Sequence, residues 1–296
     1  MRVFYCDHFE VNLPSQHRFP MQKYRLLRER LIGEGVLNSA DVLPAEPASI
    51  EDVLLVHEEA YARGFVTGEL DRRAVQRIGF PWSEAMVRRS FASVGSTLAA
   101  VEAALRDGLA GSLAGGTHHA HRAFGSGFCV FNDLAIAARR LIDTGAAQRV
   151  LIFDVDVHQG DGTAALFETE ERVFTLSIHG AKNFPGRKER SDLDLALPDG
   201  AGDAGYLEVL EGALDSALAF EPDFVLYQAG VDVLAADRLG RLALSPEGVF
   251  ERDSRALTRF RRAGLPVALT LGGGYAEPIE LSIQAHVGTY RAACGT

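Results

Sequence analysis

The sequence predicts an α/β protein, a single domain with a mostly parallel central β-sheet flanked by helices. Three observations lead there. Short β-branched or apolar runs alternate with longer stretches of helical period, the pattern of strands joined by covering helices. The apolar runs end in Gly, Asp or His, which brings polar side chains to the carboxyl ends of strands, where open α/β sheets collect ligands. No obvious linker divides the 296 residues, so residues 1–296 read as one unit.

The elements follow in chain order. Arg2–Cys6 is the first expected strand: its apolar run is too short for a leader peptide and is broken at once by Asp7, His8 and Glu10. Helical spacing of apolar residues at three and four then predicts helices over Met21–Ile32 and Ser83–Leu105. A Gly-bounded strand over Ser112–Gly115 precedes a helix over Asn132–Ile142. Strands over Arg149–Val155 and Val173–Ile178 come next, then a helix over Gly205–Ala219 and a strand over Phe224–Gln228. A helix over Pro246–Ala263, a strand over Val267–Leu271 and a helix over Glu277–Ala292 complete the pattern. No tandem repeat or low-complexity segment interrupts it.

Composition narrows the functional classes. With 47% hydrophobic and 24% charged residues the chain can bury a large core and lacks the signature of disorder. A net charge of −10 argues against wrapping nucleic acid, which needs basic patches, and suits cationic substrates better. Cys6, Cys129 and Cys294 are too scattered for a disulfide framework and lack CxxC spacing, which points to a reducing cytoplasm. No apolar stretch approaches the length of a membrane span.

The chemistry concentrates at strand ends. In LIFDVDVHQGDG, Asp154, Asp156 and His158 alternate, and alternate residues of an extended chain project from one face. Two carboxylates and an imidazole at the end of a buried strand are costly unless they meet a cation or hydrogen-bond partners. The plainer alternative is that Asp154 and Asp161 cap the following helix or sit in a solvated turn. QAGVD ends a second strand with Asp232. Two carboxylates and one imidazole match the three protein ligands of a catalytic zinc with an open position, while oxygen-rich ligation also suits Fe(II). In GGTHHAHRAFGSGFCVFND, His118 and His119 follow a Gly-bounded strand, and adjacent imidazoles suggest acid–base work with Asp154 and Asp161 as orienting carboxylates. His121 has no evident partner and reads as an ordinary surface or core residue. In LGGGYAEP, Tyr275 could polarise a carbonyl; the glycines lack the following Lys or the spacing of a phosphate loop.

Taken together these motifs resemble the histone deacetylase superfamily, which includes bacterial deacetylase-like proteins, acetoin-utilisation proteins and acetylpolyamine amidohydrolases. The resemblance runs from HRFPMQKYRLLRERL through HHAHRAFGSGFCVFND, DVDVHQGDGT, LSIHGAKNFPG and AGVDVLAADRLGRLALS to LGGGY, in the family's order and spacing. NFPGRKERSDLDLALPDG and DRLGRLALSPEGVFERD look closest to the class IV branch. The resemblance implies an arginase/deacetylase-like three-layer fold. It makes Asp156, His158 and Asp232 the zinc ligands, and His118 and His119 the tandem histidines backed by Asp154 and Asp161. Tyr275 is then the carbonyl-polarising residue. Gly127 would accept the substrate amide, and Phe128 and Phe184 would wall an acyl-lysine channel. Arg25 aligns with an arginine lining an internal channel; a helix-surface salt bridge is its other reading. The family also binds potassium. Its inner site would use Asp154, Ser177 and backbone oxygens of Asp156, His158 and Ile178, and its second site the backbone near Phe167 and Val173. Leu234 stands where arginase-like binuclear centres need a carboxylate, so one divalent ion is expected.

The implied reaction is metal-dependent hydrolysis of an acylated amine, with His119 as general base and either histidine as the proton donor to the leaving amine. Acyl-lysine, whether acetylated or carrying a longer chain, and acetylated polyamine are the candidate substrates. A non-catalytic acyl-lysine reader is the rival of another class, and the intact histidines, Tyr275 and metal ligands argue against it. Neither a charge seam nor a heptad reports an oligomeric interface.

Overall fold

VLIFD at Val150–Asp154 and FVLYQ at Phe224–Gln228 are buried at every position. Such continuous burial arises in parallel strands covered on both faces. A computed structural model, which describes residues 1–295, places them as neighbours at the centre of an eight-stranded sheet. Thr296, the last residue of the expected domain, lies outside the described residues. In chain order the strands are β1 (Arg2–Tyr5), β2 (Val42–Pro44), β3 (Leu109–Ser112), β4 (Val150–Asp154), β5 (Val173–Gly180), β6 (Leu193–Leu197), β7 (Phe224–Gln228) and β8 (Val267–Thr270). Their spatial order is β2-β1-β3-β8-β7-β4-β5-β6, and every pairing is parallel. All carboxyl ends therefore face one rim.

The helices are α1 (Lys23–Gly33), α2 (Ile50–Leu54), α3 (Glu59–Thr67), α4 (Arg72–Ile78), α5 (Glu84–Asp107), α6 (Asp133–Thr144), α7 (Asp161–Phe167), α8 (Asp203–Ala219), α9 (Pro246–Arg262) and α10 (Ile279–Cys294). In one covering layer α1, α10, α9 and α8 pack successively; in the other α5 packs on α6, and α6 on α7. Three of the longer helices, α5, α6 and α9, start at sequence-encoded caps. Ser83, Asn132 and Ser245 accept from the backbone N–H three residues on, and Pro246 occupies the first turn of α9, where its missing N–H costs nothing. Among the described residues no helix is long and apolar enough to cross a membrane.

The α/β expectation holds, and the sheet is wholly rather than mostly parallel. One strand is displaced: β3 covers Leu109–Ser112, not Ser112–Gly115. Past Ser112 the chain leaves the ladder toward Gly115 and Gly116, both at positive φ, so the glycines make a turn beyond the strand. Two edge strands escape the sequence pattern. β2 is three residues ending in Pro44, which an edge tolerates, and β6 is only partly buried. The short helices α2, α3, α4 and α7 are likewise additions.

Candidate active site

At the rim, β4 ends in Asp154 and the chain bends through residues 156–158. Asp154 Oδ1 accepts the Asp156 N–H at 3.0 Å, and Asp156 Oδ1 accepts the His158 N–H at 3.0 Å. The loop after β7 brings Asp232, whose Oδ1 accepts the Val157 N–H at 2.9 Å. One ligand atom from each of Asp156, His158 and Asp232 lies within 4.8 Å of the others, and all three residues are buried. His158 Nδ1 is 3.0 Å from Asp156 Oδ1 and 3.1 Å from Asp232 Oδ2. Burial alone would lower the pKa of His158, but hydrogen bonds to both carboxylates outweigh it and raise the value to about 10. Asp232 is also pushed up, to about 7, by burial and by the charge of Asp156.

The floor of this cluster is backbone. Gly273 donates its N–H to Asp156 Oδ2 at 2.7 Å. A Cβ at Gly230 would lie 2.7 Å from the Asp156 Cγ, and one at Gly273 would lie 2.6 Å from the Asp232 Cγ. Any larger residue would push a carboxylate out of place. Beneath it, Arg252 donates from Nη1 to the carbonyls of Val155 at 3.1 Å and Gly230 at 2.7 Å, while Nε pairs with Asp253 at 2.8 Å. One fully buried guanidinium thus ties together the two loops that carry the carboxylates.

The tandem histidines stand opposite. His118 Nδ1 donates to Asp154 Oδ2 at 2.6 Å, and His119 Nδ1 to Asp161 Oδ1 at 2.6 Å. Burial opposes charge on His118, yet Asp154 and Asp156 raise its pKa to about 9. For His119, burial and the neighbouring His118 win over Asp161 and lower it to about 3. His121 does find a partner, Asp161 Oδ2 at 3.1 Å. Tyr275, Gly127, Phe128 and Phe184 line the same cavity of about 190 Å³ as the histidines and the three-residue cluster. Burial and the charges of Asp232 and Asp156 push the Tyr275 phenol well above its ordinary range, so it remains a proton donor. Phe184 is 44% exposed, and its ring meets His119 edge-on at 4.8 Å, so it stands at the cavity mouth.

Other expected residues fall as follows. Ser177 is the register partner of Asp154, and Ile178 follows it on β5, buried. Phe167 ends α7 and Val173 opens β5, joined by a turn in which the Glu170 N–H bonds the Phe167 carbonyl and the Val173 N–H the Glu170 carbonyl. Arg25 borders a separate cavity of about 800 Å³ that Arg89 and Tyr275 also line; its side chain is 57% exposed and pairs with Glu29 one turn on at 3.4 Å, the salt bridge that was its other reading. The α1 periodicity turns it outward, and the cation buried on this helix is Lys23.

Several supporting residues had no sequence signal of their own. Asp133 accepts from the Gly116 and Thr117 N–H groups at 3.1 and 2.7 Å, fixing the turn before the histidines. His57 Nδ1 donates to the His121 carbonyl at 2.9 Å, and its Nε2 accepts the Asn132 N–H at 2.9 Å. Asp237 accepts the Tyr275 N–H at 2.6 Å and those of Leu239 and Gly240, and so holds the tyrosine loop. The exception is Asp237, for which an acid three residues before a glycine, as in DRLG, was the available hint.

Comparison with known proteins agrees with this geometry. The histone deacetylase domain matches residues 17–289. A protein of Picosynechococcus sp. carried as uncharacterized is 46% identical over 98% of this chain and 97% of its own. A probable deacetylase of Archaeoglobus fulgidus is 30% identical over 92% of this chain and 80% of its own. The crystal structure of an HDAC homolog from Aquifex aeolicus superposes with a TM-score of 0.85 at 26% identity, covering 99% of this chain and 84% of that one. An HDAC homolog complexed with SAHA gives 0.84 at 26% identity, with the same coverage. Fold and site together define a hydrolase acting on amide bonds. The chain belongs to the histone deacetylase family, which is generally metal-dependent.

Proposed function

We propose that this chain is a metal-dependent deacylase that removes the acyl group from the ε-amine of lysine, with one divalent ion held by Asp156, His158 and Asp232. The observation that carries the reading is the pair of His–Asp couples, each at 2.6 Å, that share a cavity with the carboxylate–imidazole cluster and Tyr275. The cluster fits such an ion: two carboxylates and an imidazole converge within 4.8 Å, already oriented by backbone N–H groups. The donor set favours zinc and also suits Fe(II). When bound, the ion would polarise the scissile carbonyl and acidify the attacking water toward about pH 7.

The remaining work belongs to side chains. Because His119 donates its Nδ1–H to Asp161 as a hydrogen bond, Nε2 keeps a lone pair to take a proton from water as general base. His118, whose charged form Asp154 favours, is suited to protonate the leaving amine, although an ion beside Asp156 would cancel part of the charge that holds that proton. Tyr275 donates to the developing oxyanion. Gly127 would accept the amide N–H, and Phe128 and Phe184 would flank the lysine methylenes. Potassium would sit at Asp154, Ser177 and the backbone of Asp156, His158 and Ile178, with a second ion near Phe167 and Val173.

Family membership and the HDAC homolog complexed with SAHA support the deacetylase reading. The free cysteines support a cytoplasmic setting, and residues 1–296 are taken as one catalytic domain. Protein stripped of metal and reloaded with zinc or Fe(II) should cleave an acetyl-lysine peptide faster than acetylputrescine or acetylspermidine, and Asp156→Ala should cleave none of them. Turnover that survives chelation, or preference for the polyamines, would overturn the respective half of the reading.

A further inference from the structure

Two cations are buried beside the catalytic cavity with no carboxylate at ion-pair distance among the described residues. Lys23 is 1% exposed; its Nζ donates to the Gly272 carbonyl at 3.3 Å and lies 5.1–5.4 Å from the ring centres of Tyr275, Tyr24 and Phe19. Arg89, on α5, is 6% exposed, and its guanidinium lies 4.6 Å from the centre of the Tyr24 ring. Stacking on a phenol compensates a buried guanidinium only in part and leaves its fork of N–H donors open to an anion.

That fork borders a space. Arg89 is the one charged residue in the described lining of an apolar chamber of about 50 Å³, whose other walls include Phe80, Met86 and Phe131. The chamber and the catalytic cavity share Phe19, Tyr24, Thr117 and Phe128 as common walls. The two spaces therefore adjoin at these four side chains. The catalytic cavity offers the acyl carbon its reacting groups, and the adjoining chamber offers apolar walls with a guanidinium among them that has no carboxylate at ion-pair distance among the described residues.

We propose that the chamber and Arg89, with Lys23 also against the Tyr24 ring, form a subsite for acyl groups that end in a carboxylate, so that succinyl- and glutaryl-type amides are substrates. This rests on the deacylase reading above. The methylenes would pack between aromatic walls, and the terminal carboxylate would take the guanidinium in a two-point, charge-assisted pair. A neutral acyl group of the same length fills the chamber yet leaves the cation unpaired, so charge rather than length sets the preference. The chemistry is plain hydrolysis. Water adds its oxygen to the acyl carbon, the C–N bond breaks, the nitrogen takes a proton, and a free amine and a dicarboxylate leave.

The test uses the metal-loaded full chain and one peptide sequence carrying acetyl-, butyryl-, succinyl-, glutaryl- or glutaramoyl-lysine, the last being the glutaryl group with its carboxylate capped as the amide. We expect kcat/KM for glutaryl to exceed that for glutaramoyl at least tenfold, and this ratio to fall toward one in Arg89→Met and to recover in part in Arg89→Lys. Acetyl cleavage with a wild-type ratio near one overturns the subsite and leaves the deacylase reading standing. A ratio that Arg89→Met does not change also overturns it, because Arg89 then serves folding or product departure alike for every acyl group. If Arg89→Met does not fold, the wild-type ratio decides alone. No cleavage of any acyl peptide overturns both readings.

Discussion

Replacing His57 by Gln should remove about 2 kcal/mol of the stability that the protein loses between pH 7.5 and pH 5. His57 is 3% exposed, and both ring nitrogens are committed: Nδ1–H donates to the His121 carbonyl and Nε2 accepts the Asn132 N–H. A second proton would have to go on Nε2, against a donor, in a buried site. Burial accordingly lowers its pKa from 6.5 to about 4. The folded value is depressed, so the unfolded chain takes up the proton first. The contribution is whole above pH 6.5, declines by about 1.4 kcal/mol per pH unit below it, and levels off below pH 4 after a loss of about 3.4 kcal/mol. Urea denaturation of both proteins in chelator at pH 7.5, 6 and 5 isolates this term, since every other titrating group is shared. The wild type should be the more stable at pH 7.5, and its lead should shrink by about 2 kcal/mol at pH 5. A lead that stays constant within about 0.5 kcal/mol would refute the argument that the neutral tautomer is locked.

Three further outcomes are expected. Tyr275→Phe should bind metal as the wild type does, yet lose 10²–10³-fold in kcat, about 2.7–4 kcal/mol of transition-state stabilisation; an unchanged kcat would remove Tyr275 from the mechanism. Arg252→Met strands buried Asp253 and two carbonyls and should cost about 3–5 kcal/mol by urea denaturation, with a loss under about 1 kcal/mol contradicting the tie it makes. Zinc added to chelator-treated protein near pH 7 should displace the proton that Asp156 and Asp232, against burial, hold on His158, with affinity rising about tenfold per pH unit. Calorimetry in two buffers of different ionisation heat counts that proton, and a count of zero would show that His158 is neutral before the ion arrives.

Residues whose roles follow from strand ends were legible in the sequence. The run VLIFDVDVH announces both a buried strand and the direction of its polar side chains, and the structure brings Asp156 and His158 together with Asp232. The interior strands and long helices were legible for the same reason, since burial on both faces or along one stripe imposes a period. Short edge strands such as β2 impose none, and the two-turn helices between α1 and α5 are set by caps and tertiary contacts more than by pattern. Arg25 kept two readings in the sequence because its helix face depends on packing: it pairs with Glu29 at the surface, while Lys23, two residues earlier, is the buried cation. Arg252, Asp133 and His57 act through backbone carbonyls and N–H groups contributed from distant parts of the chain, and no spacing in one dimension reports such partners.

The glycine floor has a consequence for how the protein can diversify. Gly230 and Gly273 lie against Asp156 and Asp232 so closely that a single added carbon would displace a carboxylate. That side of the pocket is closed to variation, because almost every codon change there destroys the cluster instead of reshaping it. The mouth is different: Phe184 is 44% exposed on a surface loop and meets the reacting groups only through the edge of the His119 ring, so its side chain can be exchanged without displacing a carboxylate of the cluster. New substrate preferences in descendants of this chain, natural or selected in the laboratory, should therefore accumulate at the mouth and in the side chamber, while the floor stays fixed.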